Sequence, residues 1–407
     1  MTFDSFFCFL LAADANAIRL PLSMLLVFGA AKIMAEIFER LGQPGIVGEI
    51  LAGVLIGPSV LAWVAPNELL TALAELGVMF LLFRVGLEVK ASELFRVGGT
   101  ALLVALLGVV FPFLLGWGIL RLWGEPQIEA IFLGAAMVAT SVGITAQVLS
   151  AKGVLHARAA RIILAAAVID DVLGLLVLAV VSSMAKGSIN FVEIGITAAL
   201  SIGFTLLVAV LGRRAMNRLV PRVSESFRAG EAQFNLALIL LFGLSVLAIY
   251  AGVAAIIGAF LAGMALAESV SHRVHDLAHG VTEFLIPFFL AGIGLHLNVA
   301  VFADRSTLLL SAVILLAAVA SKLVGCGLGG LQGGFADAFR IGAGMVPRGE
   351  VGMVVAQIGL GLGVISGKIY AVTVFMAVVT TLVAPPLLNL SFRGTQAVEP
   401  KTDFTYG

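Results

Sequence analysis

The sequence predicts an all-α polytopic membrane protein of about thirteen helices, arranged as an inverted repeat of six, one and six. Three observations carry this. The 407 residues are 61% hydrophobic and 12% charged, with a mean hydropathy of +1.13, far from a water-soluble domain. Apolar runs of about 20 residues, the length of a membrane-crossing helix, recur from end to end. Residues 75–87, "ELGVMFLLFRVGL", are echoed 208 positions later by 283–295, "EFLIPFFLAGIGL".

Runs and breakers place the segments, in order, at 19–41, 44–62, 70–88, 100–122, 128–149, 161–183, 191–212, 232–251, 253–269, 281–297, 307–330, 338–360 and 369–391. One set of connections carries most of the Lys and Arg, among them Arg213, Arg214, Arg218 and Arg222. The other holds only Arg19, Arg121, Lys186, Arg305 and Lys368. Positive-inside then puts the N-terminus outside and the C-terminus in the cytoplasm. The N-terminal "MTFDSFFCFLLAADANA" lacks the basic start of a signal peptide and is kept with the chain. Zero net charge gives no case for nucleic-acid binding, and the distant Cys8 and Cys326 form no disulfide framework.

The repeat rests on more than one match. "GAAMV" at 134–138 returns as "GAGMV" at 342–346, again 208 positions on, and "VGEILAG" at 47–53 resembles "IGAFLAG" at 257–263, 210 on. Residues 1–190 therefore form the first six-helix repeat and 213–391 the second. Residues 191–212 are the linker helix, and 392–407 a cytoplasmic tail too short for a regulatory domain. Equivalent helices lie seven apart, so they cross in opposite directions, a device of secondary transporters.

Within the repeat, "MVATSVGITAQ" in the fifth segment answers "MVPRGEVGMVVAQ" in the twelfth. Both interrupt an apolar run with polar residues near its middle. Pro347, Gly349 and Gly352 break regular helix, while the fifth segment carries Thr140, Ser141, Gly143 and Thr145. Irregular backbone at membrane depth survives only where it is buried or lines a cavity. Two inverted breaks would bring half-helix ends together near the midplane, where they can bind an ion. Arg348 and Glu350 are expected to stabilise that crossing.

The sixth segment reads "AAAVIDDVLGLLVLAVV", with Asp170 and Asp171 adjacent and no other charge between Arg161 and Lys186. An acid at a helix centre costs about 2.5–3.5 kcal/mol on insertion scales, which argues for function. Neighbouring helix positions diverge by roughly 100°, so one carboxylate can meet a partner while the other faces a cavity. The obvious partner is Lys322 in the eleventh segment, whose alternative is to snorkel to the cytoplasmic interface. Both sites lie about 12–14 Å from the cytoplasmic ends of their helices. Burial and a like-charged neighbour favour protonation of a carboxylate, and a lysine opposes it. Such a group holds a proton or a hard monovalent cation, not both together, and that competition is a means of exchange.

"VIDDVLGLL", "ATSVGITAQVLSAKGVL", "GAFLAGMALAE", "ASKLVGCGLGG" and "MVPRGEVGMVVAQ" resemble the monovalent cation:proton antiporters, over nearly the whole membrane region. Within them the chain is similar to the bacterial sodium/proton antiporters and the related Kef-type potassium/proton antiporters. Kef-type proteins usually carry Gln-Asp at the paired position and add a soluble nucleotide-binding domain. This chain has Asp-Asp and no such domain, which favours the sodium branch. The resemblance implies a homodimer in a bacterial inner membrane, a six-helix core moving elevator-fashion against a scaffold, and a part in pH homeostasis. It matches Asp171 to the ion-binding carboxylate, Asp170 to the partner of Lys322, and Thr140 and Ser141 to the broken-helix site. No cofactor is implied beyond the transported Na⁺, K⁺ or Li⁺ and H⁺.

Other polar residues have weaker claims. Arg84 and Glu88, four apart, pair with each other or reach the interface. Glu49 near a cytoplasmic helix end is a candidate for an access funnel, and Glu350 for a competing partner of Lys322. Glu75 and Glu283 occupy equivalent repeat positions and read as structural. "HRVHDLAH" at 272–279 reads as a solvated loop whose histidines are candidate pH sensors. No transition-metal ligand set stands out. An intramembrane aspartyl protease needs its two acids on separate helices with a Gly-x-Gly-Asp motif, and neither occurs, so the chain is not read as an enzyme. A sodium-coupled organic-solute symporter is the rival carrier, one that would not need Lys322.

Overall fold

Helices cover all the apolar segments, and the two with polar interruptions carry two helices each. The computed structural model describes residues 15–41, 43–89, 91–185, 191–226, 231–297 and 303–393. In chain order the helices are α1 (Ala15–Arg40), α2 (Gly45–Ile56), α3 (Glu68–Glu88), α4 (Ala91–Trp123), α5 (Gln127–Val138), α6 (Val142–Ala151), α7 (Arg158–Ala185) and α8 (Phe191–Ser226). They continue as α9 (Ala232–Tyr250), α10 (Ala255–Leu266), α11 (His272–Leu295), α12 (Arg305–Gly330), α13 (Phe335–Gly344), α14 (Glu350–Gly361) and α15 (Gly367–Ser391).

Among the described residues nine spans are long and apolar enough to cross a membrane, with α5 and α6 taken together as one. A tenth joins them if α8, bent by 53° between Ala198–Gly212 and Arg214–Arg222, counts as a single span. This is fewer than the thirteen expected, for a physical reason. α2 and α10 have 12 residues each, roughly 18 Å of helix, and the second broken segment divides into pieces of 10 and 12. The expected loop at 272–279 is also different: it is the first two turns of α11. Val274 and Ala278, four apart, are buried there and anchor the helix, which leaves His272, His275 and His279 on its more open side.

The chain divides into two compact units, Met1–Gly77 with Glu283–Ala300, and Val78–Thr282 with Val301–Gly407. In the first, Val27, Ala31, Ile56, Phe288 and Leu295 form an apolar cluster. There α2 crosses the end of α11 with backbones almost touching. A Cβ on Gly53 would strike the carbonyl of Ala291, and one on Gly294 the carbonyl of Ile50. In the second unit α3 crosses α10 in the same way, Gly86 against the Phe260 carbonyl and Gly263 against that of Phe83. Small residues at both helices of each crossing allow packing that lipid-like surroundings would not otherwise drive. The second unit's core gathers on α5, where Phe132 and Met137 meet Ile314 of α12 and Val372 and Met376 of α15. Enclosure there is nearly complete: 89% of the most apolar 18-residue stretch of α5–α6 is buried inside the protein.

Candidate functional site

Helix α5 stops at Val138 and α6 restarts at Val142, with Ala139 and Ser141 in extended backbone. No proline or glycine forces this break. What sustains it is the second break, Met345–Gly349, between α13 and α14. The Ser141 amide donates to the Pro347 carbonyl at 2.8 Å, and the Thr145 hydroxyl to the Gly344 carbonyl at 2.6 Å. Freed backbone groups of each broken helix are thus satisfied by the other, as burial requires. Gly349 lies directly on Ser141, and a Cβ there would strike the serine's Cβ and Oγ.

Arg348 is wholly buried in the crossing. Its amide donates to Thr380 Oγ1 at 3.1 Å. Its guanidinium donates to the carbonyls of Val138 at 3.3 Å, Ala139 at 3.2 Å and Ala318 at 3.0 Å. The arginine therefore closes the C-terminal end of α5, where carbonyls lack helical partners and the dipole is negative. Thr145 and Thr380, both buried, do structural work that the sequence reading did not assign to them. The signal available for the second was a Thr380–Thr381 pair inside an apolar run.

α7 runs unbroken past this crossing, with Asp170 and Asp171 near its middle, both buried. Lys322 of α12, 0% exposed, places Nζ 3.2 Å from Asp170 Oδ2 and 3.4 Å from Oδ1. These distances exceed the 2.7–2.9 Å or so of a tight charge-assisted bond, so the pair is formed but not clamped. Thr140 Oγ1 is buried in the first break with no hydrogen-bond partner among the described residues. Such an orphan oxygen calls for an explanation, and a ligand is one.

Glu49 is buried and holds Lys32 at 3.0 Å within the first unit. Arg84 stands 3.9 Å from Glu88 but makes shorter bonds to His279 Nδ1 at 2.9 Å and Ser150 Oγ at 2.8 Å. Glu75 and Glu283 are exposed. The backbone of Glu350 begins α14, and its side chain is outside the described residues, as is Cys8. Cys326 is a buried free thiol one turn beyond Lys322. No cluster of three His, Cys, Asp or Glu suited to a metal occurs among the described residues.

Fold and site together define an all-helical, multi-pass membrane protein whose buried ion pair lies among helices that include two broken ones. The chain belongs to the transmembrane sodium/hydrogen exchanger family, whose model matches residues 23–392. It is 35% identical to the high-affinity Na⁺/H⁺ antiporter NhaS3 of Synechocystis sp., over 93% of this chain and 91% of that one. It is 32% identical to the Na⁺/H⁺-K⁺ antiporter GerN of Bacillus cereus, over 90% and 95% of the two chains. The Na⁺/H⁺ antiporter of Enterococcus hirae is 33% identical over 89% and 96%. The fold is that of the sodium proton antiporter MjNhaP1 from Methanocaldococcus jannaschii, with a TM-score of 0.65 at 18% identity over 93% and 97% of the chains. These relatives are transporters and not enzymes.

Proposed function

We propose that this chain exchanges a monovalent cation, Na⁺ foremost, for protons, with Asp171 as the carboxylate for which the two compete. The observation that carries the reading is the buried Asp170–Lys322 pair at 3.2 Å, with a second acid next to it on the same unbroken helix. Removing two acids and a lysine from water costs several kcal/mol per ion, which a purely structural pair rarely recovers. Thr140 and Ser141 supply neutral oxygens toward the dehydrated cation, and the Thr140 hydroxyl, without a partner among the described residues, supports that role. A proton on Asp171 removes the charge that attracts the cation, and a bound cation excludes the proton. When Lys322 releases Asp170 during the cycle, exchange moves net charge. The name of GerN supports K⁺ as a further cargo, which keeps Kef-like K⁺/H⁺ exchange as the second reading.

For the architecture we propose thirteen crossings in an inverted repeat, with residues 1–190 and 213–391 as its halves. The contacts support this. Crossing α2–α11 at Gly53 and Gly294 maps onto crossing α10–α3 at Gly263 and Gly86 under the shifts of 210 and 208. Two further contacts join residues to their own equivalents, Gly77 to Leu285 and Ser141 to Gly349, each 208 apart. Self-equivalent contacts are what a twofold axis between repeats produces. On this plan the N-terminus faces outward, the C-terminus faces the cytoplasm, and a homodimer carries a core that moves as an elevator.

Proteoliposomes test the function directly. Na⁺ should release internal protons, measured by a trapped pH dye, with K⁺ and Li⁺ compared at equal concentration. An imposed membrane potential should drive the exchange. Proton movement that requires an organic solute would instead establish a symporter.

A further inference from the structure

Lys322 and Asp170 belong to helices that barely touch. α12 and α7 each pack extensively on α4, and the pair joins them across it. A long side chain can make that reach only where α4 presents little bulk. α12 seats itself on α4 through its own glycines: Gly329 against Val104, and Gly325 against the Leu107 carbonyl and Phe111. At the level of the lysine the allowance changes sides and falls on α4. A Cβ at Gly108 would stand 3.2 Å from Lys322 Nζ, 3.8 Å from its Cδ and 2.7 Å from Cys326 Sγ.

We infer that Gly108 is a positioning residue for the exchange site: the bare backbone there is the notch in α4 through which Lys322 reaches Asp170. This rests on the exchange reading for its consequence in transport, but not for its geometry. A methyl group in the notch crowds the ammonium, which must leave its seat by a few tenths of an ångström. The bond it makes is already long, at 3.2 and 3.4 Å, so a small displacement is enough to weaken the pair.

The test is a double-mutant cycle in a Cys326→Ala background, which removes the thiol as a separate source of collision. Four full-length proteins are compared: the background alone, with Gly108→Ala, with Lys322→Ala, and with both. Thermal unfolding in detergent is read first. Gly108→Ala should lower the midpoint by about 2 °C or more when Lys322 is present, and should have no such effect when the lysine is absent. Failure to fold only in the presence of Lys322 is the same result in stronger form. An equal loss in both backgrounds, or no loss in either, overturns the inference. Flux in proteoliposomes is read second. Gly108→Ala should move the pH of half-maximal exchange by about half a unit or more, a shift that mere loss of folded protein does not produce. A coupled unfolding cycle with no cation-driven flux in any variant would overturn the exchange reading and leave the positioning role intact.

Discussion

The two broken helices meet at one point but are built from different chemistry. The first break, Ala139–Ser141, is neutral and holds hydroxyls, one of them without a partner among the described residues. The second, Met345–Gly349, carries a permanent cation, Arg348, whose terminal nitrogens donate to the Val138, Ala139 and Ala318 carbonyls. Thr140 and Arg348 stand 208 residues apart, at equivalent places in the proposed repeat. Division of labour is the lesson. One break is tied to the surrounding helices by its arginine, and the other holds a hydroxyl with no partner among the described residues.

The largest effect bears on whether the first break serves transport. Asp171→Asn should abolish cation-dependent proton flux while the protein still purifies folded, and sustained exchange would remove Asp171 from the mechanism. Next comes the second break. Arg348→Met keeps the bulk and strands the Val138, Ala139 and Ala318 carbonyls, so unfolding should be easier by about 3 kcal/mol or more. A near-wild-type melting curve would mean that the arginine does not hold the crossing. Two threonines then separate structure from ligation. Thr145→Val loses the bond to Gly344 and should cost about 1 kcal/mol of stability. Thr140→Val has no such bond to lose, so it should leave stability unchanged and raise the Na⁺ concentration for half-maximal flux, roughly fivefold. Equal behaviour of the two would erase the distinction between the breaks.

The smallest effect concerns a helix start of the ordinary kind. The first residues of α6 and α14 receive no side-chain cap, whereas Asp304 caps α12 by accepting from the Ser306 and Thr307 amides. Hydrogen bonds from the Thr307 hydroxyl and then these amides hold the Asp304 carboxyl below its usual range. Its stabilisation is therefore complete above the ordinary aspartate value and fades as pH falls through the lowered one. Asp304→Ala should reduce the melting temperature at neutral pH slightly and flatten its decline toward acid. A decline as steep as the parent's would assign the acid sensitivity elsewhere.

What could be read in the sequence was whatever interrupts a hydrophobic run. Asp170, Asp171 and Lys322 stood out because each cost of insertion demanded a reason, and the depth estimate followed from helix rise alone. Polar letters likewise marked both breaks. Side-chain to backbone bonds left no such mark: nothing in the letters says that Arg348 will spend its donors on carbonyls or that Thr145 will find Gly344. Gly108 is one of 46 glycines, and its neighbours in the chain are ordinary apolar residues. The histidine stretch was misread because its polar residues hid the buried pair Val274 and Ala278, four apart. The second and ninth segments were drawn longer than α2 and α10 because composition alone does not mark where their helical turns stop.

Those two short helices bear on the membrane itself. Twelve residues reach roughly 18 Å, against a hydrocarbon layer of about 30 Å. The chain beside each is irregular, and its polar groups are tied down locally. After α2, the Trp63 and Val64 amides both turn back to the Ile56 carbonyl, and Ser59 donates to the Leu297 carbonyl. Before α10, Ser201 of α8 donates to the Ala251 carbonyl. If the two short helices cross the bilayer as proposed, the depth they leave falls to 57–64 and 251–254, segments whose backbone is held by these few hydrogen bonds.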